Sequence, residues 1–142
     1  MNAREFLEQI DMYDELTEDT MAEIKRLKDI AMKTTVSMEG EKVKSTPNQD
    51  KMGTSIAAYV DLENQLQLDV IQYASERQKI IGVLKRLPVK EYKILYKKYV
   101  LKQDYQQIAD AIGKSYSHVT SWHGIALAHL QKILDEDKSN DL

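Results

Sequence analysis

With 142 residues, 42% hydrophobic and 30% charged, the chain has the size and apolar content of one packed domain or two small helical modules. It has no cysteine, which excludes disulfides, thiolate metal sites and a cysteine nucleophile. No uninterrupted apolar run reaches the ~18 residues of a membrane span, and the start MNAREFLEQIDMYDE lacks a secretory pattern, so a cytoplasmic protein with no membrane contact is expected.

The net charge of −3 is unevenly placed. Between Val83 and Leu134, nine Lys/Arg (85, 86, 90, 93, 97, 98, 102, 114, 132) face three acids (Glu91, Asp104, Asp110), a surplus of +6, so the remainder carries −9. A basic C-terminal stretch on an otherwise acidic chain points to a polyanion as partner.

In chain order, helical periodicity comes first. Phe6, Ile10, Tyr13, Thr17, Thr20, Ile24, Leu27 and Ala31 alternate at spacings of four and three, with Leu16 and Met21 widening the stripe. One long helix is expected, although Thr20-Met21-Ala22-Glu23 also fits a capping box and allows a break. Residues 33–50, KTTVSMEGEKVKSTPNQD, gather Thr, Ser, Gly and Pro and read as a long loop. A second and stricter stripe follows: Met52, Ile56, Tyr59, Glu63, Leu66, Val70, Tyr73, Arg77, Ile80, Leu84 and Leu87. It has the a/d spacing of a coiled-coil seam, with Gln49 or Asp50 as possible cap and Pro88 as terminator. Residues 1–87 therefore form either an antiparallel hairpin or a bundle shared by two chains, a homo-oligomer and most simply a dimer. Glu63 and Arg77 interrupt that seam, either at its edge or to fix register.

After Pro88 three shorter helices are expected, the first over VKEYKILYKKYV. Asp104 is placed to cap a second helix over 105–112, and Ser115 to cap a third. Two helices crossing steeply over a short turn need a small residue at contact (Ala109), a residue free to take positive φ at the turn (Gly113), and a branched apolar residue filling the angle (Val119). With Ile108, Ile112 and Trp122 around them, these form the core of a helix-turn-helix, and residues 88–135 read as a DNA-binding domain ahead of a polar tail, 136–142. The reading positions on its second helix are Ser115, Tyr116, Ser117, His118, Thr120 and Ser121, with His123 and Gly124 at their margin. None is Lys or Arg, so affinity is assigned to phosphate contacts from Lys93, Lys97, Lys98, Lys102 and Lys114.

The segment LPVKEYKILYKKYVLKQDYQQIADAIGKSYSHVTSWHGIALAHLQKIL resembles the fourth region of bacterial sigma factors, and the whole chain resembles small sigma-like late-transcription regulators of the ArpU/RinA type from phages and prophages of Gram-positive bacteria. The resemblance implies a recognition surface over Ser115–Ser121, double-stranded DNA as partner, and RNA polymerase as a further one.

Other chemistry is set aside. Gly113-Lys114-Ser115 lacks the earlier glycine and the strand of a phosphate-binding loop. His118, His123 and His129 share no helix face suited to zinc. The acids near Asp11–Asp19 lack a calcium-loop pattern. No enzyme and no cofactor are expected. The all-α chain is thus expected to be a sequence-specific transcriptional regulator; a packaging protein like a small terminase subunit, and a polymerase-binding adaptor that does not read DNA, are the alternatives.

Overall fold

A computed structural model describes the backbone of residues 1–40 and 46–141, and the side chains of residues 1–33 and 56–141. The chain is all-α: helices α1 (Ala3–Gly40), α2 (Thr46–Leu84), α3 (Val89–Leu95), α4 (Tyr105–Ile112) and α5 (Tyr116–Asn140), with a π-helical turn at Tyr96–Val100 after α3. Among the described residues there is no strand.

The helices outrun the expected boundaries. Over 33–40 and 46–50, where the sequence predicts a loop, the backbone is helical, running through Gly40 and again from Thr46; the rest of that expected loop, 41–45, lies outside the described residues. Pro47 does not prevent this, since a first-turn amide has no intrahelical acceptor to lose. The helix start is therefore at Thr46, upstream of Gln49 and Asp50. The third helix after Pro88 is not short either: α5 has 25 residues and takes in most of the expected tail. Arg86 explains part of that extension, forming a two-pronged ion pair with Asp137 at 2.7 and 3.1 Å.

Two compact units emerge, and neither ends at residue 87. One comprises Met1–Asp14 and Ser75–Leu142; the other is Glu15–Ala74. In the second, the two periodic stripes are the covered faces: Thr17, Thr20, Ile24 and Ala31 are half-buried with Leu27 buried, and Ile56, Tyr59, Glu63, Leu66, Val70 and Tyr73 are half-buried. Lys28 reaches Glu63 at 3.3 Å, so one interruption of the seam is an ion pair between α1 and α2. Leu16 and Met21 do not widen the stripe; they are 36% and 56% exposed.

In the first unit, the start of α1 (Ala3, Leu7, Ile10) and the end of α2 (Ile80, Leu84) share a core with Leu87, Leu95, Ala126 and Leu130. Arg77, the other interruption, binds Asp14 at 2.8 Å. A second cluster joins Ile94 of α3, Ile108 and Ala109 of α4 and Val119 of α5, with Tyr105, Ile112 and Trp122 against it. Asp104 and Gln107 form a reciprocal capping box at the start of α4, and Ser115 accepts from the His118 amide at 3.1 Å to cap α5.

Gly113 ends α4 at φ +69°, while a Cβ built there meets nothing within 4 Å. Its requirement is therefore conformational and not steric. Gly113→Ala should cost about 1 kcal/mol through left-handed backbone strain. Gly82→Ala, inside α2 with equally open space, should stabilise by about 0.5–1 kcal/mol. Urea midpoints of the two variants decide: shifts of the same sign contradict the assignment.

Candidate nucleic-acid interface

The first turn of α5 projects from the cluster that Val119 anchors. Tyr116, Ser117 and Ser121 are exposed, and the Tyr116 ring stands edge-on to Tyr105 at 5.8 Å. Ser115 is exposed but its hydroxyl is engaged as the cap. Thr120 is only half-buried surface, and its hydroxyl donates to the Ser117 carbonyl at 3.1 Å. His118 leans on Trp122, ring centroids 5.9 Å apart, with its Nε2 enclosed and without a hydrogen-bond partner. Partial burial, then the charges of Lys90 and Lys114, hold its pKa below the ordinary histidine value. The freely presented groups are thus Tyr116, Ser117 and Ser121, fewer than the expected six.

The cations sort into two kinds. Lys90, Lys93 and Lys97 from α3 and its π-turn, with Lys114 from the turn after α4, rim a groove of about 750 Å³ floored by Val89, Tyr92, Ile94, Tyr96, Leu101, Ala111 and Ile112. Lys90 also places its Nζ 3.9 Å from the centre of a Trp122 ring, so it links the groove to the first turns of α5. Lys98 instead covers the Tyr105 ring at 4.4 Å. Lys102 departs from its assigned role. It binds Asp11 at 3.1 Å and Asp14 at 3.2 Å, and it holds φ +58°, a left-handed conformation costly for a side chain with a Cβ. Its charge is met within the chain because α1 brings two acids to it. Spacing alone gave no signal of this.

Two polar pairs escaped sequence reasoning. Glu91, counted above among the three acids of the basic stretch, is 2% exposed; one oxygen contacts His129 Nδ1 at 2.5 Å, and the other has no partner. His123, placed at the reading margin, is 4% exposed. Its Nε2 lies 2.9 Å from the Tyr99 hydroxyl and its Nδ1 3.4 Å from that of Tyr105. A neutral ring suits this site, donating through one nitrogen and accepting through the other. The wide gap of five residues from His118 carries it to the inward face, a consequence of 3.6 residues per turn that the sequence does contain.

Among the described residues, no cluster of His, Cys, Asp and Glu is suited to hold a metal ion, and no helix is long and apolar enough to cross a membrane. Comparison with protein-family models, with curated proteins and with solved structures gives no match for this chain.

Burial, followed by the charges of Arg4 and Lys98, lowers the His123 pKa to about 4. The unfolded chain therefore binds the extra proton first on acidification, and folding loses stability as pH falls from about 6.5 towards about 4. Replacing the ring by Phe should flatten the pH dependence of the unfolding free energy in that window, whatever it does to stability at pH 7. An unchanged slope in His123→Phe would show that the imidazole does not resist protonation.

Proposed function

We propose that the chain is a sequence-specific DNA-binding regulator of transcription that uses α4, the Gly113 turn and α5 as a helix-turn-helix. The observation that carries this reading is the first turn of α5: it projects hydroxyl and aromatic groups beside a lysine-rimmed groove, while the residues behind it are packed. In such motifs the start of the second helix enters the major groove and its partner helix crosses the backbone. Ser117 and Ser121 supply hydrogen bonds to base edges or phosphates, and Tyr116 supplies an apolar edge for a thymine methyl. Lys90, Lys93, Lys97 and Lys114 supply phosphate contacts. With no Arg or Lys on the reading surface, the electrostatic share of the affinity is large. The resemblance to sigma-like late regulators agrees with this reading and extends it to phage or prophage promoters.

One observation favours a second reading. The apolar floor and cationic rim of the groove also suit an acidic amphipathic segment of a protein such as RNA polymerase, which would make the chain an adaptor.

Selection from a random duplex pool at about physiological salt separates the two. The DNA reading expects an enriched motif that is lost when Tyr116, Ser117 and Ser121 are changed to Ala together. On that duplex, four phosphate contacts give a slope of log K against log salt near −3.6. Lys93→Ala and Lys114→Ala should each reduce the slope by about one, and Lys102→Ala should leave it unchanged. No enrichment by folded protein would sink the DNA reading and leave the adaptor.

A further inference from the structure

Within the unit Glu15–Ala74, α2 carries a second stripe besides the one that accompanies α1. Ala57, Val60, Asn64, Leu68 and Ile71 succeed one another at three, four, four and three residues, which places them on one side of a helix. All are exposed, Val60 to 46%, Leu68 to 60% and Ile71 to 64%. Gln67 and Ala74 beside them are exposed and uncharged as well. This side lies roughly 130° around the helix from the covered stripe. The exposed positions of α1 in the same unit mix charges (Glu15, Glu18, Asp19, Lys25 and Asp29) with the separate apolar residues Leu16, Met21 and Met32.

We propose that this face of α2 docks against the same face of a second copy of the chain, the two helices antiparallel with Asn64 on the two-fold axis. A two-fold contact has to be complementary to itself. A face bearing several charges of one sign repels its copy; the stripe itself bears none, and the exposed Asp61 lies at its margin, three residues from Asn64 and so about 9 Å along the axis from its counterpart in the antiparallel pair. The spacing is symmetric about Asn64, with Val60 and Leu68 four residues to either side and Ala57 and Ile71 seven. In the antiparallel pair, Val60 meets Leu68 of the second copy and small Ala57 meets large Ile71, so the volumes compensate. A parallel pair sets Ala57 against Ala57 and leaves a gap there. Asn64 has donor and acceptor in one amide and bonds its own counterpart across the axis. A slipped register buries both amides against aliphatic side chains, so the asparagine selects the alignment at the expense of some affinity. Residues 57–74 span about 27 Å of helix. Two such faces bury on the order of 1,000 Å², near the lower edge of stable interfaces, where contacts are weak and transient.

The test uses the full chain, whose lack of native cysteine makes engineered cysteines unambiguous. Sedimentation from about 1 to 200 µM should show a reversible dimer. Leu68→Glu with Ile71→Glu should abolish it while circular dichroism stays helical. Leu62→Glu, 47% exposed but off the stripe, should leave it intact. On oxidation, Asn64→Cys should link to itself, and Val60→Cys should link to Leu68→Cys and not to itself. A monomer throughout, a dimer that survives the double glutamate, or self-linking of Val60→Cys overturns the proposal. If the double variant fails to fold, the linking pattern decides by itself. Mass and links are read without DNA, so this outcome is independent of the function proposed above.

Discussion

Leu7 and Ile10, both fully buried, fill the space between the end of α2 and the long helix α5, and the unit of Met1–Asp14 and Ser75–Leu142 depends on that filling. Each side chain contributes about 2–3 kcal/mol by leaving water, a large share of what a unit this small can gather. The Ala3 amide adds a hydrogen bond to Gln131 Oε1 at 2.7 Å, which ties the first turn of α1 to α5. The helices that carry the candidate interface are thus not a free-standing module. Their core is completed by residues more than seventy positions earlier in the chain, and α5 is gripped along its length by two clusters, one around Val119 and one around Ala126 and Leu130. Its first turn is presented by a helix that has little freedom to tilt.

The same N-terminal segment also acts electrostatically. As α3 winds into its π-turn, the Leu101 amide bonds the Tyr96 carbonyl at 3.0 Å, five residues back, and the chain leaves through Lys102 with a positive φ. That conformation is disfavoured for lysine, and it sits where Asp11 and Asp14 take hold of the ammonium. Asp14 meanwhile accepts from Arg77. One short acidic stretch of α1 therefore holds two cations and helps fix the exit from α3. Arg4, two turns before Asp11, adds its charge to the environment of His123 and Tyr99.

Periodicity made the helices and their covered faces legible, because burial of a stripe at 3.6 residues per turn is what stabilises a long amphipathic helix. From Phe6 to Ala31, each position of the first stripe is at least half-buried, and so is each described position of the second from Ile56 to Leu87. The turn at Gly113 was legible for a different reason: few residues take positive φ without strain, and Ala109, Val119 and Ile108 meet where the helices touch. Boundaries were less legible. Thr, Ser and Gly within 33–40 lower helix propensity, but propensity is a weak prior over a few residues, and α1 continues through them. The fate of individual charges was not legible at all. Whether a lysine meets solvent, an aromatic ring or a carboxylate depends on helices distant in sequence, as Lys114, Lys98 and Lys102 each illustrate.

Under the proposed function, that sorting of charge bears on how a weakly basic surface would read DNA. Nine cations promised a strong field, but Arg86 and Lys102 are matched inside the chain, Lys98 covers the Tyr105 ring, and only four of the nine rim the groove, which would give one copy a modest electrostatic affinity. A slope near −3.6 means that raising salt fourfold costs roughly a factor of 150 in binding. Two copies joined through α2 would present two such rims. The second then binds at an effective concentration set by the assembly, not by the solution, which raises avidity without any new contact. A reading surface without arginine is workable under that arrangement, since bases need only discriminate among sites that paired phosphate contacts already hold. Weak contacts on each copy also favour discrimination: a site that engages only one copy forfeits the linked second contact and is released.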